Sequence, residues 1–304
     1  LIVDSFGGLP HREVLKGWLK AFSPFQGYRR MFQASFSGLD VAEDGVDNVD
    51  SFLDAAASLF FPTDTFVEAM DDLGVDVNVL WVHVDQEFVP EILETLSSEC
   101  CSFPKRIRLL PSYGSMAHRP EETAARIEQD HKNHNLVGVC LLPILDHRFA
   151  DDSAYEPVYE VCSNLDLTVW IHTVNTWSER HPSDFCHPSH ADRVACRFPD
   201  LSIVLGHGGW PWVTEAIAIA WRHPHVYLEP SAFRWKNLAL PGSGWEPLLC
   251  YGNTMLAHKV LFGSLWPLLG QPLSQVLEEA RALPLKPKTM VRWLGENARE
   301  AYRL

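Results

Sequence analysis

The sequence lacks any run of about 18 uninterrupted apolar residues, the length a helix needs to cross a bilayer, so no membrane partner is expected. It opens on Leu1-Ile2-Val3-Asp4 without the basic stretch and small-residue cleavage site of a signal peptide. Basic side chains are in deficit: 25 Lys and Arg against 39 Asp and Glu leave a net charge of −14. A continuous phosphate-neutralising surface is hard to assemble from that balance, which argues against nucleic acid as a partner. Cysteine is sparse, and its seven copies include no CxxC spacing and one adjacent pair, Cys100 and Cys101. No disulfide framework is expected, and a cytoplasmic location is. Proline and glycine, 21 and 18 of 304 residues, are too few for a fibrous or disordered chain.

What is present is an apolar fraction of 46%, enough for a large core, and a recurring pattern. Eight short apolar runs are each bounded by Pro, Gly, Asn or Asp: Leu1 to Ser5, Val75 to Val84, Ile107 to Tyr113, Leu136 to Pro143, Leu167 to Thr173, Leu201 to His207, His225 to Ser231 and Lys259 to Ser264. Their hydrophobicity is continuous rather than alternating, the mark of parallel strands covered on both faces. Thr65 to Leu73, Glu121 to His134 and Tyr155 to Asn164 carry apolar residues at three- and four-residue intervals, as crossover helices do. Pro211 is placed in the first turn of a further helix running through Val213. Eight β/α units predict a single (β/α)8 barrel over residues 1–304. The aromatic and then acidic segment from Gly7 to Asp64 interrupts the rhythm and reads as a lid over the C-terminal mouth.

Active sites of such barrels sit at the C-terminal strand ends, so the polar residues there define the candidate site. Strand two ends in Trp81-Val82-His83-Val84-Asp85, strand three in Ser112-Tyr113, strand five in His172-Thr173, strand six in His207-Gly208-Gly209 and strand seven in Glu229-Pro230-Ser231. Histidines ending three strands on one rim point to a shared pocket for a small molecule. An imidazole titrating near neutrality gives or takes a proton, which fits His207 to acid/base work and His172 to holding a substrate oxygen. Glu229 is read as a base or as the residue that orients an imidazole, with an ion pair to Arg234 as the structural alternative. Phe6, Trp81, Tyr113, Trp177, Trp210 and Trp266 fall at or just beyond strand ends and suit a flat aromatic ligand, with His83 and Leu265 beside them.

The run Phe198-Pro199-Asp200-Leu201-Ser202-Ile203-Val204-Leu205-Gly206-His207-Gly208-Gly209-Trp210-Pro211-Trp212 resembles the signature of the amidohydrolase-related family that includes aminocarboxymuconate-semialdehyde decarboxylase and the resorcylate-type decarboxylases. Trp170-Ile171-His172-Thr173, His225-Val226-Tyr227-Leu228-Glu229, Val260-Leu261-Phe262-Gly263-Ser264 and Trp293-Leu294-Gly295-Glu296-Asn297-Ala298 are similar in family order. The resemblance implies a metal-bearing (β/α)8 barrel, a homodimer, His207 as proton handler, and lid arginines such as Arg29 and Arg30 clamping a substrate carboxylate.

The sequence departs from that pattern where the metal would bind. The family's first strand ends Asp-x-His-x-His; here Asp4-Ser5-Phe6-Gly7-Gly8 stands. Its last strand reads Phe-Gly-Ser-Asp; here the word is Phe262-Gly263-Ser264-Leu265. Of four implied ligand positions, His172 alone keeps a donor, and Phe, Gly and Leu have no lone pairs to offer. The expectation is therefore no cofactor and a metal-independent lyase-type enzyme. Decarboxylation, isomerisation or cyclisation of a small aromatic or polyketide-like carboxylated or carbonyl compound all fit. Two alternatives stand beside it: an inactive ligand-binding barrel or partner subunit of an active paralogue, and a hydrolase or decarboxylase with a metal site rebuilt from His83, Asp85, His172 and His207. The loop cluster His181, Cys186, His187 and His190 matches no common zinc spacing and is read as a polar loop over the mouth.

Overall fold

The continuous apolar runs form seven parallel strands: β1 Val3–Gly7, β2 Val77–Val84, β3 Ile107–Tyr113, β4 Gly138–Leu141, β5 Thr168–His172, β6 Ile203–Gly206 and β7 Val226–Glu229. The structure, a computed structural model, describes residues 1–35, 49–55, 57, 60–84, 89, 91–114 and 116–304. Asp85 and most of the acidic stretch from Asp40 therefore lie outside the described residues. The helices are α1 Arg12–Phe22, α2 Gln26–Ser35, α3 Val49–Ala55, α4 Thr63–Leu73, α5 Ile92–Cys100, α6 Pro120–His134, α7 Pro143–Asp146, α8 Glu156–Asn164, α9 Pro188–Arg197, α10 Val213–Arg222, α11 Glu246–Gly252, α12 Trp266–Leu269, α13 Leu273–Arg281, α14 Pro287–Val291 and α15 Asn297–Tyr302. Among the described residues no helix is long and apolar enough to cross a membrane, and all seven cysteines are free thiols.

Local chemistry accounts for these boundaries. Helix α4 buries Phe66, Val67 and Met70 on one stripe and stops at Gly74, whose φ of 70° lets its N–H turn back to the Asp71 and Met70 carbonyls. Helix α6 starts with a proline, whose missing N–H is no loss in a first turn, followed by Glu121 and Glu122 at the positive end of the helix dipole. Strand β1 begins two residues later than the apolar run suggests and continues to Gly7, because its pairing with β2 resumes at Gly7 and Leu80 beyond a bulge. Pro211 precedes Trp212, the cap of α10, and so lies outside the first turn where the sequence places it.

The strands form two parallel sheets, β1-β2-β3 and β4-β5-β6-β7. They meet on one side where the Val137 N–H donates to the Leu109 carbonyl at 3.1 Å. On the other side the eighth apolar run closes the ring without forming a ladder of its own. Val260 makes a single parallel bridge with Leu228, the Ser5 N–H donates to the Phe262 carbonyl at 2.8 Å, and the Leu265 N–H donates to Phe6 at 2.9 Å. A (β/α)8 barrel results, with its eighth stave held by separate bonds rather than continuous pairing.

Asp4 seals that seam. It is fully buried and accepts bonds from the Ser264 N–H, at 2.8 Å, and from the Ser264 hydroxyl. Burial, opposed by these bonds, pushes its pKa from 3.8 up to about 6. A carboxyl whose pKa rises on folding gives stability that is full below about 4 and lost as pH climbs through 6. Asp4→Asn keeps a carbonyl oxygen for Ser264 but cannot ionise. Its stability relative to the parent, measured by denaturant unfolding, is expected to rise by about 2 kcal/mol between pH 4 and pH 7. A pH-independent difference would count against a strained ionised Asp4.

Candidate functional site at the strand ends

His207 follows β6 with a φ of 59°, a left-handed backbone that histidine adopts more readily than bulky residues do. Its Nδ1 lies 3.1 Å from the Ser231 carbonyl and 3.0 Å from the Ser231 hydroxyl oxygen. The Ser231 hydroxyl proton is committed to Glu229 Oε2, at 2.7 Å, and the Ser231 N–H donates to Oε1 at 2.6 Å. The Ser231 carbonyl can only accept, so a neutral His207 carries its proton on Nδ1, which leaves Nε2 unprotonated. Glu229 also accepts from the Trp170 indole at 3.2 Å. Burial is the larger influence on this carboxyl and pushes its pKa to about 8, against the pull of its three donors.

His172, at the end of β5, sets its Nδ1 3.2 Å from the Cys186 sulfur, and its ring meets that of His207 edge to face with centroids 5.1 Å apart. Burial lowers its pKa to about 4. Burial, then the neighbouring His172, holds His207 well below its ordinary value. Both imidazoles are therefore neutral near pH 7. Cys186 is buried, and burial raises its thiol pKa, so it stays a thiol.

Both histidines open onto a cavity of about 180 Å³. From the strand ends come Phe6, Trp81, Trp170, Trp177, Ala232, Phe233 and Leu265; from α1 and α2 come Phe22, Tyr28, Met31, Phe32 and Ser35. Phe6 stacks on Trp170 with centroids 4.1 Å apart and 9° between planes, and on Trp81 at 5.5 Å. Trp81 stacks in turn on Trp18 of α1 at 4.8 Å. Offset stacks of this kind contribute about 0.5–1.5 kcal/mol each beyond their burial.

Several residues picked from the sequence fall elsewhere. Tyr113 turns to the opposite face of β3 and donates to Asp130 of α6 at 3.0 Å, while its neighbour Ser112 accepts from Trp81 on the inner face. His83 sits against that same Ser112 at 3.0 Å, beneath Gly17 of α1, and does not line the cavity. Trp210 donates to the Ser243 carbonyl, and Trp266 stacks on Phe66 of α4. Arg29 is tied to the Ser23 carbonyl at 2.7 Å and Arg30 is exposed; neither reaches the cavity. Arg234 pairs with Glu279, so the structural ion pair with Glu229 does not form. Glu229 is wholly buried and meets the site through Ser231 and the Trp170 indole, without lining the cavity itself.

The polar loop cluster also disperses. His181 meets Ser178 and His147, each at 2.6 Å, His187 caps α9, and His190 pairs with Asp151. Trp170 and Phe233 were missed among the lining residues, although strand periodicity signals Trp170, two residues before His172 on the same face.

Over residues 62–304 the chain matches a family model described as amidohydrolase. No curated protein matches it. Among solved structures it resembles an uncharacterized TIM-barrel protein of Bordetella bronchiseptica, at 24% identity and a TM-score of 0.73, over 99% of this chain and 98% of that one. A 5-carboxyvanillate decarboxylase of Sphingomonas paucimobilis is similar at 17% identity and a TM-score of 0.65, over 100% and 99%. A dihydroxybenzoic acid decarboxylase of Polaromonas sp. JS666, with bound manganese and the inhibitor 2-nitroresorcinol, is similar at 15% and 0.67, over 100% and 97%. At these identities the likeness is one of fold.

The residues of this chain do not fit a metal at the mouth. Phe6, where the resemblance implies a ligand, is a stacked ring without a donor atom, and Leu265 is buried with a φ of 43°, a costly conformation for leucine. A Cβ at Gly8 would overlap the Pro267 ring, so this backbone closes position 8 to any side chain. Among the described residues, the one group of three metal-capable side chains is Asp192, Cys196 and His223 on the outer helices, where Arg222 already pairs with Asp192. Metal analysis of protein purified without an affinity tag is expected to find well under one equivalent of manganese or zinc. Stoichiometric metal lost on His172→Ala would overturn that expectation.

Proposed function

The chain belongs to the amidohydrolase family, and from that premise we propose that it is a metal-independent lyase-type enzyme. It moves a proton to or from a carbon beside a hydroxyl or carbonyl oxygen of a small aromatic or polyketide-like compound. The observation that carries this reading is the fixed tautomer of His207: Nδ1 is held by Ser231, which leaves an unprotonated Nε2 on a cavity-lining ring.

A neutral imidazole in a water-poor cavity accepts a phenol or enol proton and so makes the adjacent ring electron-rich. The imidazolium then returns the proton to carbon, the Ser231 carbonyl and hydroxyl oxygens steadying its charge. His172, in edge contact with His207, holds a second oxygen of the ligand. Glu229 acts through Ser231 and is a positioning residue. Of the segment from Gly7 to Asp64, α1 and α2 serve as the lid; support comes from their five residues on the cavity wall. The decarboxylases among the structural neighbours support carbon acid/base chemistry on aromatic rings as the reaction class.

A second reading, a barrel that binds a small ligand without turnover, is favoured by the replaced ligand positions Phe6, Gly8 and Leu265. Deuterium uptake from heavy water into the ring carbons of resorcinol, followed by NMR, separates the two. The enzyme reading expects catalysed exchange that survives chelators and falls roughly a hundredfold or more in His207→Asn with binding retained. His172→Asn is expected to weaken both binding and exchange. Exchange no faster than in buffer, with binding intact, would favour the non-catalytic reading; unchanged exchange in His207→Asn would move the chemistry off that residue.

A further inference from the structure

We infer that the cavity is built for an uncharged hydroxyaromatic ligand and rejects the carboxylated form of the same ring. This rests on the reading of the cavity as the active site. The walls are ring faces and aliphatic side chains, and the residues other than indoles that bring polar side-chain atoms are Tyr28, Ser35, His172 and His207. No Lys or Arg is among the described lining residues. Of the arginines nearest in sequence to the lining residues, Arg29 is held on the Ser23 carbonyl, Arg180 beside Glu179 and Arg234 on Glu279, while Arg30 is exposed on α2 and is not among the lining residues.

The residues outside the described set cannot change that balance. Positions 36–48, 56, 58, 59, 85–88, 90 and 115 contain no Lys, Arg or His, whereas they contain Asp40, Glu43, Asp44, Asp47, Asp85 and Glu87. Wherever they lie, they bring negative charge. A carboxylate entering this cavity would give up its water without a cation, an imidazolium or a bidentate arginine to replace it, whereas a phenol O–H needs one acceptor, which Nε2 of His207 supplies. Size agrees, since an apolar cavity of roughly 150 Å³ holds a benzene ring, and the space here is about 180 Å³. With no carboxyl group on the ligand, proton transfer in this site leads to a tautomer or ring-closed isomer rather than to carbon dioxide.

The test is isothermal titration at pH 7.5 of two matched pairs, resorcinol with 2,6-dihydroxybenzoate and 2-naphthol with 3-hydroxy-2-naphthoate, into the parent protein and His207→Asn. The neutral member of each pair is expected to bind at least tenfold more tightly in the parent, and Leu269→Arg, which adds a cation at the wall, is expected to reverse the order. Carboxylated members binding as tightly as neutral ones, or no neutral member binding at millimolar concentration, would overturn the inference. Neutral selectivity without any ring-proton exchange would instead remove the catalytic reading and leave this one standing.

Discussion

The parallel stack of Phe6 on Trp170 reaches from the first strand to the fifth, with 4.1 Å between ring centroids, and it sets the chemistry of the mouth. Trp170 can lie there because Gly206 on the neighbouring strand has no side chain; a Cβ at that position would overlap the indole. Both rings meet His207 edge to face, with centroids 5.7 and 4.9 Å away, and so fix the plane of this cavity-lining imidazole. The same Phe6 ring stands where the family's resemblance implies a metal ligand. On that resemblance an aromatic wall stands in place of a coordinating side chain, and Gly8 and Leu265 likewise offer no donor atom.

Beneath the stack, two buried carboxyls do separate work. Asp4 ties the first strand to the unladdered eighth run through Ser264, so ring closure depends on a polar contact inside an apolar barrel. Glu229 receives three donors and orients Ser231, which in turn orients His207. Both carboxyls are pushed upward by burial, to about 6 and about 8. Neither lines the cavity; they act on the site by fixing what does. A buried polar chain of this kind is stable only when each member is satisfied, which the Glu229–Ser231–His207 chain achieves with backbone and side-chain partners together.

Much of this was legible in the chain order of residues. The β-branched runs give the strands because parallel staves are buried on both faces, and His172 and His207 are legible because barrel sites form where strands end. The errors came from side-chain direction. Tyr113 ends β3, yet strand alternation turns it out to Asp130, while Ser112 takes the inner face. Trp170 shows the converse: two positions before His172, it shares the inward face that strand periodicity assigns it. Arg29 and His83 were candidates by type; Arg29 is held by the nearby Ser23 carbonyl and His83 is covered by α1, while Arg234, the expected ion-pair partner of Glu229, is taken by the distant Glu279.

The sequence by itself determined the barrel, the absence of donor side chains at positions 6, 8 and 265, and the shortage of positive charge, because these depend on residue type and local period alone. The tertiary structure decided which nitrogen of His207 is free, which aromatic rings face the cavity, and that no cation joins them there among the described residues. Those properties depend on contacts across the barrel between residues far apart in sequence. Ser231 lies 24 residues from His207 and Glu229 lies 59 from Trp170, distances that no local pattern spans.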